Sequence, residues 1–160
     1  MRLIATLILA VAALPAAAQA PDWSKLEFLL GNWTGMAGEK DTQLGSGQGA
    51  FSFALDLNKT VIVRRNNAAY DSGAKHDDLM VIYAEGPWHA IYFDSEGHVI
   101  RYNVTAPAEN RVVFESDGAQ QGPKYRLSYW LDRGTLAGKF EVAPTGAEYK
   151  TYMSWTSKRN

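Results

Sequence analysis

The sequence predicts an all-β protein, an antiparallel up-and-down β-barrel of about ten strands entered through a short helical cap. Three observations predict it. From residue 51 onward apolar residues recur at every second position in short runs, as in Phe51, Phe53 and Leu55, the period of a strand with one buried face. Turn-forming clusters separate the runs at even intervals, among them Asp71-Ser72-Gly73, Asp94-Ser95-Glu96-Gly97, Asp132-Arg133-Gly134 and Pro144-Thr145-Gly146. No helical period lies between the runs, which excludes βαβ units and leaves an antiparallel up-and-down barrel or sandwich.

The first twenty residues read differently from the rest. Arg2 is followed by an apolar run from Leu3 to Leu14, a break at Pro15 and the small-x-small sequence Ala18-Gln19-Ala20. That is the pattern of a cleaved signal peptide, and the run is too short to span a bilayer of about 30 Å. A cut after Ala20 would make the protein secreted or periplasmic and leave residues 21–160 as one domain. Such a domain is large enough to bury a core without disulfides, and there is no cysteine to form one. Sixteen basic against seventeen acidic residues give a net charge of −1. This balance argues against nucleic acid and against an anionic membrane surface as partners.

Ser24-Lys25-Leu26-Glu27 has the spacing of a capping box, with Ser24 bonding a backbone amide and Glu27 reaching back. Trp23, Leu26, Leu29 and Leu30 share one face of the helix that follows, and Gly31 ends it. In Gly31-Asn32-Trp33-Thr34-Gly35 a large flat side chain sits between two glycines. Backbones can approach closely at glycine, so Trp33 is suited to plugging one end of a barrel.

Leu26 to Gly35 resembles the opening of the calycin-like barrels. Its Gly-x-Trp is similar to that of lipocalins, and Leu-x-Gly-x-Trp-x-Gly to the start of nitrobindin-related and fatty-acid-binding-like domains. The resemblance implies a closed barrel with Trp33, Gly31 and Gly35 as structural residues. It also implies a basic residue after the last strand, Lys158 or Arg159, stacked on Trp33. Two departures limit what it implies for function. The nitrobindin-type haem ligand is an imidazole late in the barrel, whereas the last histidine here is His98. The Arg-x-Tyr carboxylate clasp of the fatty-acid-binding branch has only Lys150-x-Tyr152 as an echo, which departs at the cation.

The apolar phase on the remaining strands places Val61 and Val63 inside, then Leu79, Val81 and Tyr83, then Ile91 and Phe93, then Ile100, Tyr102 and Val104. Val112 and Phe114 follow, with Tyr125, Leu127, Tyr129 and Leu131 in the run after them. A four-residue turn at 94–97 pairs Phe93 with His98, which sets His89 and His98 on the inward face. Arg64 and Arg65 are adjacent, so one of them must enter the barrel. The phase of Val61 and Val63 selects Arg65. A guanidinium there needs a ligand anion, an internal carboxylate or solvent at the mouth. The histidines could hold a ligand's polar group or an iron, or simply bond a neighbouring tyrosine or a buried water.

No nucleophile elbow, phosphate loop or zinc-helix motif is present. His76-Asp77-Asp78 reads as a solvated turn rather than a metal site, so no metal or cofactor is expected. The favoured function is binding of a small hydrophobic or amphipathic molecule, with Arg65, His89, His98, Tyr102 and Tyr129 as contacts. The alternatives are a haem- or metal-dependent protein using His89 or His98, and a solid barrel acting through its outer surface.

Overall fold

The computed structural model describes residues 20–42 and 44–160. The expected signal peptide and its cleavage point lie outside the described residues, apart from Ala20. Ten strands follow a short 3-10 helix over Ser24–Leu29 and close into an antiparallel barrel, with a second 3-10 turn, Glu39–Asp41, between the first two strands. They are β1 (Gly31–Ala37), β2 (Gly47–Asp56), β3 (Val61–Tyr70), β4 (Lys75–Ala84) and β5 (Trp88–Asp94). The second half comprises β6 (Val99–Ala108), β7 (Arg111–Ser116), β8 (Lys124–Asp132), β9 (Thr135–Ala143) and β10 (Lys150–Arg159). Each strand pairs with its neighbours in sequence, and β1 closes the barrel on β10 with Trp33 opposite Arg159. Closure leaves no unpaired edge. No described helix is long and apolar enough to cross a membrane.

One end of the barrel is shut. The 3-10 helix lays Leu26, Phe28 and Leu29 across it, and Trp33 is fully buried beneath them. The Trp33 indole N–H donates to Leu29 O at 2.8 Å, which removes the one polar cost of burying the ring. Arg159 sits over the Trp33 ring, 4.5 Å from its centroid, and donates to the carbonyls of Leu30 and Phe28. The basic residue of the closing strand therefore ties the cap to the plug. The expected Ser24 capping box does not form. Trp23 holds the N-cap position, and the carboxylate of Asp22 takes the Ser24 amide instead.

Two turns set the phase of the middle strands, and both differ from the expectation. Between β2 and β3, Leu57, Asn58 and Lys59 all take left-handed backbone with φ of 47°, 55° and 67°. Asp56 is thereby paired with Val61, and Phe53 with Arg64. Residues facing inward are then odd-numbered on β2 and even-numbered on β3. Ile62 and Arg64 point in, Val63 and Arg65 point out, and Leu57 is left exposed.

Between Phe93 and Val99, the last pair of β5 and β6, five residues turn the chain rather than four. The Asp94 carboxylate accepts the amides of Glu96 and His98 at 3.1 and 2.8 Å, and Gly97 adopts φ +89°. Phe93 therefore pairs with Val99 rather than His98. A one-residue slip turns a whole strand over. Ala90 and Tyr92 face the interior, while His89, Ile91 and Phe93 face out.

Candidate functional site

The end opposite Trp33 is open, and a cavity of about 490 Å³ occupies it. Its volume arises where β1 and β2 carry almost no side chains inward. Gly35 pairs with Gly49, and Ala37 with Gly47, so these inward positions beside the cavity carry no side chain larger than a methyl. Aromatic and aliphatic groups supply the apolar walls, chiefly Phe51 further along β2 and Tyr125, Leu127, Phe140 and Trp155 on β8 to β10. Trp155 lies flat across its cross-strand partner Gly138, where any Cβ would come within 2.2 Å of the indole.

The remaining wall is polar and comes from β3 and β4. Arg64 is 5% exposed and ion-pairs with Asp78, whose side chain is 3% exposed. The second carboxylate oxygen of Asp78 accepts from Asn66 Nδ2 at 2.9 Å and lies 3.2 Å from His76 Nε2. His76 Nε2 also meets the Tyr92 hydroxyl at 2.9 Å, and its Nδ1 meets the Glu96 carboxylate at 3.0 Å. At the lip, His98 Nδ1 contacts Asp94 at 2.8 Å. Two strands thus present alternate polar residues inward, Arg64 and Asn66 against His76 and Asp78, where a core would carry apolar ones.

Burial opposes the charge on Arg64, but the adjacent carboxylate of Asp78, with Tyr129 and Tyr92 adding to it, holds the guanidinium above its ordinary value. The hydrogen bond to Asp78 raises His76 despite its burial, with Glu96 adding to the effect. Burial pushes the Tyr129 phenol up to about 12, against the pull of Arg64, and raises Tyr92 and Tyr102 as well. These hydroxyls are therefore protonated donors at neutral pH. Arg64 Nε and the Tyr129 hydroxyl are buried without a hydrogen-bond partner. Asp78 takes Arg64 Nη1, and Nη2 makes no hydrogen bond among the described residues.

Three of the expected contact residues are not where the sequence placed them. Arg65 lies on the outer face, exposed, and Arg64 is the guanidinium inside. His89 is also outside, its ring 5.8 Å from that of Tyr83. His98 is on the five-residue loop, 60% exposed at the rim, rather than on the inner wall. Tyr102 borders the cavity, and Tyr129 is fully buried among Phe51, Phe53 and Phe114. Among the structural residues, Gly31 has φ +123° and leaves room for the Arg159 guanidinium, and Gly35 faces Ser157 and Trp155.

Sequence reasoning did not select Arg64, Asn66, His76, Asp78 or Tyr92. The signal was the spacing of two polar pairs, Arg64-x-Asn66 and His76-x-Asp78, each two residues apart and so on one face of its strand. Tyr152 also borders the cavity, because β10 shifts register between Thr151 and Met153. A haem iron would need a free imidazole aimed into the cavity. His76 is the imidazole that enters, and both its ring nitrogens are engaged, so these residues do not fit an axial ligand.

The fold and the site define a closed ten-stranded antiparallel barrel with a solvent-accessible cavity at one end. No protein-family model matches the chain, and no curated protein matches it. Among solved structures it is similar to Rv2717c from M. tuberculosis, with a TM-score of 0.63 over 88% of this chain and 98% of that one. The sequence identity is 14%, so the likeness concerns the fold alone.

Proposed function

We propose that the protein is an exported, calycin-like barrel that binds a small hydrophobic or amphipathic molecule in its open end. The observation that carries this reading is the 490 Å³ cavity, apolar on most sides and lined on one by a buried hydrogen-bonded cluster. That size and mixture are typical of small-molecule sites, whereas a barrel acting only through its outer surface would fill its interior with side chains. The opening motif and the Arg159–Trp33 stack support the calycin-like kinship. Export rests on the signal-peptide pattern of residues 1–20, and the first residue of the mature protein should be Pro21 by N-terminal sequencing. Protein purified from its own host should carry a co-purified small molecule in native mass spectrometry. A clean apo mass, with no ligand taken up from a lipid extract of that host, would leave the solid structural barrel as the better account.

A further inference from the structure

We infer that the cavity selects an uncharged amphiphile, one whose polar end carries a hydrogen-bond acceptor such as a carbonyl oxygen, and that Asp78 is the residue that excludes anions. The inference rests on the binding reading above and narrows its ligand class.

An arginine inside a binding barrel would ordinarily receive an anionic head group, because a lone buried cation is costly. Here the counter-charge is built in. Arg64 and Asp78 form a pair with side chains 6% and 3% exposed, and Asn66 and His76 hold the far side of the same carboxylate. An incoming carboxylate would have to lose its hydration and approach the guanidinium beside an existing carboxylate. Like charges brought together in a desolvated site repel strongly.

The rest of the lining repeats the arrangement. His76 lies against Glu96 as well as Asp78, and His98 against Asp94. Lys75, exposed on the rim, is the one lining cation without an ion-pair partner among the described residues. The carboxylates are equally committed. Asp78 is bound by three side chains, and Asp94 by His98 and two backbone amides. An ammonium group would therefore find no vacant anion in the buried part.

The Arg64 side chain does keep an unused donor. Nη1 is taken by Asp78, whereas Nη2 makes no hydrogen bond among the described residues and is not among the inaccessible atoms of Arg64, which borders the cavity. A neutral carbonyl oxygen takes such a hydrogen bond without disturbing the ion pair. The hydrocarbon or aromatic remainder of the ligand then lies against Phe51, Phe140 and Trp155.

The test uses the mature protein at pH 8 and follows quenching of its tryptophan fluorescence, since Trp155 lines the cavity. The probes are two matched sets differing only in the head group: decanoic acid, decanamide and decylamine, and 2-naphthoic acid, 2-naphthamide and 2-naphthylmethylamine. In at least one set the amide should bind at least about tenfold more tightly than the acid and the amine. Asp78→Asn should raise affinity for the acid by at least about tenfold while changing the amide much less. Acid or amine binding as tightly as the amide in the unaltered protein overturns the inference and leaves the binding reading intact. Failure of all six probes overturns the binding reading itself, and this inference with it. Should Asp78→Asn not fold, Arg64→Met/Asp78→Asn, which lacks both charges, should still exclude the acid and should lose part of its amide affinity. Unchanged amide affinity in that variant would overturn the role of Arg64.

Discussion

The two ends of this barrel are built from opposite materials. At the closed end the interior is apolar, and its polar atoms meet backbone partners, as the Trp33 indole meets Leu29 O and the Trp23 indole meets Lys59 O at 2.8 Å. At the open end the interior of β3 and β4 is charged, and its partners are other side chains. A packed apolar end gains stability with every contact. A buried ion pair recovers little beyond its own desolvation cost. The difference teaches that the closed end holds the fold together, while the open end keeps a polar surface that folding alone does not require.

Substitutions can break or sharpen that contrast. The largest effect belongs to the closed end: Trp33→Ala should cost about 3–5 kcal/mol in chemical denaturation, as for other fully buried aromatics. A loss below about 1 kcal/mol would mean that Trp33 does not anchor that end.

At the open end the effect should depend on whether charge is left behind. Arg64→Met strands the Asp78 carboxylate and should cost about 3–5 kcal/mol, whereas Arg64→Met/Asp78→Leu should recover most of that loss. If the double variant is as unstable as the single one, the pair is stabilising in its own right and the contrast between the ends fails. The neighbouring Arg65→Ala, on the outer face, should stay within about 0.5 kcal/mol of the unaltered protein in the same measurement.

The smallest effect is one of pH. His76 has its folded value raised above the ordinary 6.5, first by the bond to Asp78 and then by Glu96, against burial. Protonated His76 therefore binds its proton more tightly in the folded state. The stability this contributes is fully present below about pH 6.5 and is lost as pH rises through the higher folded value. His76→Gln should accordingly destabilise the protein more at pH 5.5 than at pH 8.5. Equal losses at the two pH values would show that His76 acts there as a neutral hydrogen-bonding group.

The same contrast explains what the sequence could disclose. The barrel, the number of strands and the plug were legible, because Gly31-Asn32-Trp33-Thr34-Gly35 marks the plug and the alternation on β6 and β7 puts Ile100, Tyr102, Val104, Val112 and Phe114 on the buried face. On β3 to β5 the alternation misleads. Val63, Leu79, Val81, Ile91 and Phe93 all face outward there, with Phe93 41% exposed, while Arg64, Asn66, His76 and Asp78 face inward. A rule that sends apolar residues to the core reads those strands inside out. Loop conformation decided the matter, through three left-handed residues at 57–59 and the Asp94 carboxylate clamping the turn to β6. Neither can be read from hydropathy.

The indole of Trp155 resting on Gly138 ties the history of two positions together. No side chain can be added at residue 138 while the indole covers it, so a single substitution cannot build up the wall at that position. Replacing Trp155 with a smaller residue removes the obstruction and enlarges the cavity at the same time. Only then does residue 138 become free to vary. A change in the ligand accommodated at this wall therefore has an allowed order, residue 155 first and residue 138 second, and the reverse route passes through a clash.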